Sequence, residues 1–253
     1  MSAEIYTLCS SSKGNCCLIR NGDDLFLIDA GASARRIFGT VREIGYDPGS
    51  IRAVFLTHEH GDHIHGLEVL YHSLSVPLYA PSACMPELLR VAPTAAAHYS
   101  CGDQGEIVTL QQTRVCPVRT PHDSLGSVGF RISFGEELFA YFTDIGHLTA
   151  DIVRAMSGCR RIVIESNYDP FLLENGPYPY PLKQRIAGPR GHLSNPECAS
   201  LIPHLVAHGT ERILLAHLSE TNNTPETARA AATAELQDPS VIEVAAPADI
   251  TAL

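Results

Sequence analysis

Short apolar runs alternate with longer amphipathic segments along most of the chain, and this alternation is typical of an α/β protein. The apolar runs predict β-strands at residues 4–8, 16–20, 24–29, 53–56, 78–79, 106–110, 113–118, 128–134, 138–143, 161–165, 212–216 and 241–245. The amphipathic segments predict helices at residues 33–45, 64–74, 86–90, 149–157, 169–174, 182–187, 195–208 and 225–236. No segment has the composition of an interdomain linker, so residues 1–253 are expected to form one domain.

The densest group of potential metal ligands directly follows the predicted strand at 53–56. This segment has the sequence THEHGDH and contains His58, His60, Asp62 and His63. His58 and His60 lie two apart in extended chain, so their side chains can point the same way. Asp62 and His63 fall in the first turn of the next predicted helix. One loop can therefore contribute ligands to two metal ions.

Several other predicted strands also end in ionisable side chains, namely Asp29, His122, Asp144, Glu165 and His217. A charged or unpaired polar group is costly at the end of an apolar run unless it is paired or coordinates a metal. Together these endings predict a hydrolytic metal site at one rim of the sheets.

The series His58, His60, Asp62, His63, His122, Asp144 and His217 resembles, in type and order, the ligand set of the metallo-β-lactamase superfamily. The resemblance implies an αββα sandwich with two divalent metal ions at one edge of its sheets. It also implies that the first metal is bound by His58, His60 and His122, the second by Asp62, His63 and His217, and both by Asp144. Zn and Mn suit this donor set, and Fe is also compatible with it.

Further motifs resemble the YycJ/WalJ group of this superfamily, which is associated with exonuclease-type phosphodiester hydrolysis. These motifs are LCSSSKGNC at 8–16, ESN at 165–167, NGPYPYPL at 175–182, GHLSN at 191–195 and AHLS at 216–219. Tyr168 departs from the pattern, because a histidine is expected after the ESN motif. The interval between Asp144 and His217 is too short for the additional domain of the β-CASP nucleases.

The expected chemistry is two-metal hydrolysis, in which the cations activate water and polarise the phosphoryl oxygens. Asp62 is expected to hold a metal and to orient the nucleophile. His192 precedes a predicted helix and is the candidate general acid or phosphate contact, the alternative being a histidine that only orders its loop. Ser12 and Asn15, in the predicted turn after the first strand, are candidate substrate contacts. Asp29 either contacts substrate, organises a turn or supports a ligand.

The charge and cysteine content limit the possible partners. A formal net charge of −10 argues against long contact with a nucleic-acid duplex, which normally requires a basic stripe. Lys183, Arg185 and Arg190 lie close to His192 in sequence and can attract phosphate locally. The eight cysteines form no C-x-x-C pair, and no apolar stretch approaches the roughly 18 residues of a membrane span. A cytoplasmic protein without membrane association is expected.

Three functions stay open at this point. The resemblance favours a phosphodiesterase acting on nucleic-acid ends, specifically a 5′ exonuclease on DNA, with RNA as a further possible substrate. A second enzymatic function is hydrolysis of a small cyclic phosphodiester, such as a phosphoribosyl cyclic phosphate. The third is a metal-stabilised binding protein, which is disfavoured because a scaffold needs no open metal position.

Overall fold

A computed structural model describes residues 3–253, whose first half contains six strands and five α-helices. The strands are β1 (Glu4–Ser11), β2 (Gly14–Asn21), β3 (Asp24–Ile28), β4 (Ile51–Phe55), β5 (Leu78–Ala80) and β6 (Tyr99–Cys101). The helices are α1 (Ala34–Glu43), α2 (Gly61–Ile64), α3 (Leu67–Tyr71), α4 (Met85–Val91) and α5 (Pro93–Ala96). Ser33 caps α1, since its side chain accepts a hydrogen bond from the backbone N–H of Arg36.

The second half contributes the remaining elements. Its strands are β7 (Val108–Leu110), β8 (Thr113–Arg119), β9 (Val128–Phe134), β10 (Glu137–Phe142), β11 (Arg161–Glu165), β12 (Arg212–Ala216), β13 (Ile242–Val244) and β14 (Thr251–Ala252). Its helices are α6 (Ala150–Met156), α7 (Pro170–Asn175), α8 (Tyr180–Ile186), α9 (Asn195–Ala207) and α10 (Pro225–Thr233). None of the helices within residues 3–253 combines the length and apolarity needed to cross a bilayer.

The strands form two mixed sheets that pack face to face. One sheet has the order β14-β1-β2-β3-β4-β5-β6, and the other has the order β13-β12-β11-β10-β9-β8-β7. In β3, Phe26 and Ile28 face the core between the sheets, whereas Leu25 and Leu27 face α1 and its neighbours. A third apolar cluster joins the second sheet to α6, α9 and α10. Because helices cover the outer face of each sheet, the predicted αββα sandwich is confirmed.

The prediction of a single helix at 64–74 is wrong. The structure has two short helices, α2 and α3, separated at His65 and Gly66. The backbone N–H of Gly66 donates to the carbonyl of Ala30, and a Cβ atom at Gly66 would lie 2.0 Å from the carbonyl oxygen of Ala32. The segment after β3 therefore packs directly against Gly66, where the helix is interrupted. Its Ala30 carbonyl accepts the Gly66 N–H in place of a carbonyl within the helix.

The turn after β1 is also shorter than predicted. Ser11 pairs with Gly14 across the hairpin, so only Ser12 and Lys13 form the turn. Asn15 consequently lies in β2 and is buried, rather than in the turn where the sequence placed it. This difference changes what the Asn15 side chain can contact.

Candidate metal centre

The carboxyl ends of five strands bring ionisable side chains to one edge of the sandwich. β3 runs parallel to β4 in one sheet, and β10, β11 and β12 run parallel in the other. Parallel strands end at the same edge, so the residues that follow them meet there. Asp29 follows β3, His58 follows β4, Asp144 follows β10 and His217 follows β12, while Glu165 ends β11.

The structure brings together all seven ligand candidates predicted from the sequence. Within each of three groups, the potential ligand atoms lie within 4.8 Å of one another: His58, His60 and His122; Asp62, His63 and His217; and His58, His63 and Asp144. Asp144 Oδ1 lies 3.5 Å from His122 Nε2, and Asp144 Oδ2 lies 3.2 Å from His63 Nε2. Asp144 therefore stands between the two other groups, as a bridging ligand must.

Hydrogen bonds orient the two buried histidines of the THEHGDH loop. Asp29 Oδ2 accepts a hydrogen bond from His63 Nδ1 at 2.8 Å. The Thr57 hydroxyl donates its single hydrogen to Asp29. Its oxygen therefore accepts a hydrogen bond from His58 Nδ1 at 3.0 Å. Each ring therefore keeps its Nε2 lone pair for a metal ion. Asp29 Oδ1 also accepts the backbone N–H of Thr57 at 2.8 Å, so Asp29 both organises the turn after β4 and supports a ligand.

Two further histidines are oriented in the same way by the second sheet. Glu165 Oε1 accepts a hydrogen bond from His217 Nδ1 at 2.7 Å. The carbonyl of Gly191 accepts from His122 Nδ1 at 3.0 Å. Nδ1 is again the protonated nitrogen and Nε2 is left for a metal. Fixing the tautomer through the outer ring nitrogen is typical of metal-binding histidines.

Among the seven ligand candidates, two buried side-chain atoms have no hydrogen-bond partner within residues 3–253. They are His58 Nε2 and Asp144 Oδ2, and the latter approaches His63 without a well-aligned hydrogen bond. A buried polar atom without a partner costs about 1–3 kcal/mol. Divalent cations bound by these imidazole and carboxylate donors would satisfy both atoms, so the residues present fit metal ions.

The backbone is strained where it delivers these side chains. Asp29, Asp144 and His217 have φ angles of 61°, 56° and 55°, in the left-handed region that non-glycine residues seldom adopt. Asp29 and His217 directly follow β3 and β12, and Asp144 lies two residues past the end of β10. Strain of this kind persists only where the surrounding structure enforces it, and it is concentrated at functional sites.

His192 belongs to the same cluster. Its Nδ1 donates to Glu165 Oε1 at 2.8 Å, the carboxylate oxygen that also holds His217. The His192 ring centre lies 5.2 Å from that of His122 and 5.3 Å from that of His217. About 20% of its side chain is exposed. Because Nδ1 is occupied, Nε2 is the ring nitrogen of His192 that has no hydrogen-bond partner among the described residues.

Glu165 connects His192 and His217 through one carboxylate oxygen. Its position at the end of a predicted strand does not reveal this role. Its second oxygen accepts backbone hydrogen bonds from Ile145 at 2.7 Å and Leu193 at 3.1 Å. Burial raises the pKa of Glu165, but the charge of His192 and hydrogen bonds from His192 and His217 outweigh burial and lower it to about 2. Burial lowers the pKa of His192, but the same carboxylate raises it overall. Glu165 is therefore ionised, and it favours a protonated His192.

The two predicted substrate contacts differ in their surroundings. Asn15 is fully buried, and its Nδ2 donates to Asp62 Oδ2 at 3.2 Å and to the carbonyl of Ser11 at 3.0 Å. This geometry suits a residue that positions a ligand. Ser12 is exposed at the hairpin turn and lines a cavity together with His192. Tyr168 is buried, and its carbonyl accepts a hydrogen bond from the N–H of Asn195.

The sequence profile of the β-lactamase superfamily domain matches residues 25–218, which include the whole ligand series. The chain therefore belongs to the metallo-β-lactamase superfamily and is a hydrolase of that fold. Membership implies divalent metal ions, in agreement with the donor set described above.

Two curated relatives align along most of the chain. The exodeoxyribonuclease WalJ of Streptococcus pneumoniae is 30% identical over 224 residues, which are 87% of this chain and 83% of the relative. The exodeoxyribonuclease YycJ of Bacillus anthracis is 29% identical over 242 residues, 94% of this chain and 90% of the relative. Among solved structures, the metallo-β-lactamase fold protein YhfI of Bacillus subtilis matches with a TM-score of 0.75 at 17% identity, covering 99% of this chain and 100% of YhfI. The last comparison shows a shared fold.

Proposed function

We propose that this protein is a dinuclear metal-dependent phosphodiesterase that removes nucleotides from the 5′ end of DNA. The observation that carries the proposal is the placement of Asp144 between two groups of metal donors, with His192 at their side. The relatives named exodeoxyribonuclease support a nucleic-acid substrate, because they align over most of the chain.

The proposed metal positions follow from the donor groups. His58, His60 and His122 would hold one ion, Asp62, His63 and His217 would hold the other, and Asp144 would contact both. Zn and Mn are the proposed metals, and Fe is compatible with the same donors. When bound, such ions lower the pKa of water and stabilise the negative charge that develops on a phosphoryl group.

The side chains around these positions perform the remaining tasks. About 25% of the Asp62 side chain is exposed, and Asn15 fixes its Oδ2, so Asp62 can accept a hydrogen bond from the attacking water. With Nδ1 bonded to Glu165, a protonated His192 presents its second proton at Nε2. It can give that proton to the oxygen of the leaving nucleotide. His192 and Ser12 line the same cavity and are the proposed substrate contacts.

The acidic chain is consistent with a short contact on nucleic acid. A net charge of −10 does not favour binding along a duplex, whereas gripping a strand end requires only a few phosphate contacts. All eight cysteines lie within residues 3–253 and are free thiols, which suits the reducing cytoplasm. We propose a cytoplasmic location and one catalytic domain on these grounds.

The function is tested by following product size on 5′-labelled and 3′-labelled DNA with Zn or Mn. A 5′ exonuclease releases the 5′ label at once as a mononucleotide, whereas the 3′-labelled strand shortens gradually. With only a few phosphate contacts, the slope of log affinity against log salt should be about −2 on single strands. Labelled RNA and a small cyclic phosphodiester are assayed in parallel.

The Asp144→Asn variant, purified in the same way, controls for contaminating nucleases. Internal fragments as the first products would contradict an exonuclease, and early mononucleotides from the 3′ label would reverse the polarity. If DNA and RNA stay intact with both metals while the cyclic compound is hydrolysed, the cyclic phosphodiesterase replaces this proposal.

A further inference from the structure

A cavity of about 170 Å³ opens beside His192, next to the metal centre. Two of its lining residues are joined directly to metal ligands. The carbonyl of Gly191 accepts a hydrogen bond from His122, and Asn167 Nδ2 donates to the carbonyl of His217 at 2.7 Å. Pockets that enclose a drug-sized ligand measure about 300–1,000 Å³. This cavity is smaller, so it is suited to one small group of a substrate that reacts at the metal positions.

The cavity contains a charged pair, formed by Arg185 of α8 and Asp123 of the loop after β8. The Nε of Arg185 donates to Oδ2 of Asp123. The other carboxylate oxygen, Oδ1, lies 3.4 Å from His122 Nε2. A carboxylate that lies beside a metal ligand therefore holds the guanidinium at the cavity, and the charge of Arg185 offsets that of Asp123.

The terminal nitrogens of Arg185 are available for a ligand. Within residues 3–253 the guanidinium is bonded through Nε alone, and 59% of the side chain is exposed. The N–H groups of Nη1 and Nη2 form a planar fork that matches two oxygens of one phosphate. Arg185 can therefore bind a phosphate while it stays paired with Asp123.

The structure separates Arg185 from the two other basic residues predicted to attract phosphate. Arg190 donates from Nε and Nη2 to the carbonyl of His122, at 2.9 and 2.8 Å, so its guanidinium is used within the fold. Lys183 donates to a carbonyl of α7 and lines a separate groove. Of the three, Arg185 is the one that lines the cavity.

Hydroxyl groups on the facing side of the cavity add further donors. Ser219 Oγ accepts hydrogen bonds from the backbone N–H groups of Thr221 and Asn222, at 3.4 and 3.1 Å, so its own hydrogen is left for another acceptor. The hydroxyl of Ser12 lines the same cavity. Both hydroxyls can donate to the oxygens of an anion.

The rest of the wall is largely apolar and comes from Tyr178, Leu182 and Ile186. Apolar surroundings lower the local dielectric constant, which strengthens the attraction between opposite charges. A guanidinium at such a wall therefore binds an anion more tightly than it would in open solvent.

Resting on the proposed function, we propose that Arg185 binds a phosphate group of the substrate in this cavity and that Asp123 positions the guanidinium. The phosphate is either the reacting one or the one at the 5′ end of the DNA, and the two are consecutive along the strand. The hydroxyls of Ser12 and Ser219 complete the contact. Hydrogen bonds between charged groups are about twice as strong as neutral ones, so loss of the guanidinium should have a large effect.

The test measures kcat/KM of Arg185→Gln on 5′-phosphorylated DNA, on the same DNA with a 5′-hydroxyl, and on a small diester with a single phosphate. Loss of a hydrogen bond to a charged group should lower kcat/KM about 10- to 150-fold. A loss confined to the phosphorylated DNA assigns Arg185 to the terminal phosphate. A loss on all three substrates assigns it to the reacting phosphate. A loss on both DNA substrates that spares the small diester would place the contact elsewhere along the DNA and overturn the inference.

Lys183→Gln is the matched control, because it removes an equal charge from the same helix but outside the cavity. It should keep near wild-type rates on all three substrates. Metal content and circular dichroism establish that each variant is folded and loaded. Unchanged rates in Arg185→Gln on every substrate, or an equal loss in Lys183→Gln, would overturn phosphate binding by Arg185.

A second variant separates phosphate binding from repulsion. Removal of Arg185 alone leaves the Asp123 carboxylate without its partner, and that charge by itself repels a phosphate. The double variant Arg185→Gln/Asp123→Asn removes both charges. A deficit as large as that of Arg185→Gln supports direct binding, whereas near wild-type rates would overturn it. Failure of the wild-type protein to release nucleotides from DNA would instead refute the proposed function, and this inference with it.

Discussion

Replacement of Asp144 by asparagine is expected to lower the occupancy of both metal positions and to reduce DNA hydrolysis to background. The carboxylate lies within 3.5 Å of His122 Nε2 and 3.2 Å of His63 Nε2, one histidine from each donor group. Loss of a residue that only supports a ligand typically weakens metal affinity about 10–100-fold, and loss of a shared ligand should cost more. Elemental analysis after dialysis at defined free metal measures this effect.

Two comparison variants separate ligand loss from backbone strain. Asparagine tolerates the left-handed conformation of residue 144, whereas alanine does not, so a further defect in Asp144→Ala reports on the backbone. His217→Asn, which likewise tolerates the left-handed φ of 55° at residue 217, should lower occupancy chiefly at the position shared with Asp62 and His63. If Asp144→Asn keeps both metals and wild-type activity, Asp144 is not a bridging ligand.

Removal of the His192 imidazole is expected to lower kcat/KM by about 10²-fold or more without loss of metal, the usual scale of general acid–base catalysis. The physical reason is that His192 Nε2 is the proposed proton source for the leaving oxygen, while Glu165 occupies Nδ1. A substrate with a good leaving group needs little protonation and should lose much less. Steady-state kinetics on diesters with good and poor leaving groups measure the difference.

His147 is the matched control for this variant. It is an exposed histidine whose Nδ1 donates to the carbonyl of Pro189, three residues before His192, and it belongs to none of the donor groups within residues 3–253. His147→Ala should keep near wild-type rates on both diesters. Equal losses on good and poor leaving groups in His192→Ala would assign His192 to phosphate positioning instead. Loss of metal from the His192→Ala variant would instead indicate that His192 is a metal ligand, since its ring also lies within ligand distance of Asp144 and His217.

The seven ligand candidates are predictable from the sequence because their types and order resemble the ligand series of the superfamily, and because His58, Asp144 and His217 each follow an apolar run. The carboxyl ends of parallel strands then bring such positions together whatever the lengths of the connections. The αββα architecture is implied by the same resemblance, and runs such as Leu25–Ile28, which are apolar on both faces, agree with a sheet that is covered on both sides.

The residues that support the ligands are not predictable in this way. Asp29 is hydrogen-bonded to His63, and Glu165 is hydrogen-bonded to both His192 and His217. These partners lie far apart in the sequence, so no local sequence pattern predicts the contacts. The serine and glycine residues around Asn15 predict a turn, yet pairing of Ser11 with Gly14 draws Asn15 into a buried strand. The break at Gly66 likewise results from a contact with the segment after β3, which helix periodicity does not encode.

The central claim is that hydrolysis requires two metal ions at the site around Asp144. Its most direct test is titration of the metal-free protein with Mn or Zn while bound metal and release of nucleotides from labelled DNA are measured on the same samples. The account predicts that two ions bind per chain and that activity rises mainly with the second. Full activity with one bound ion, or hydrolysis by the metal-free protein, would contradict it.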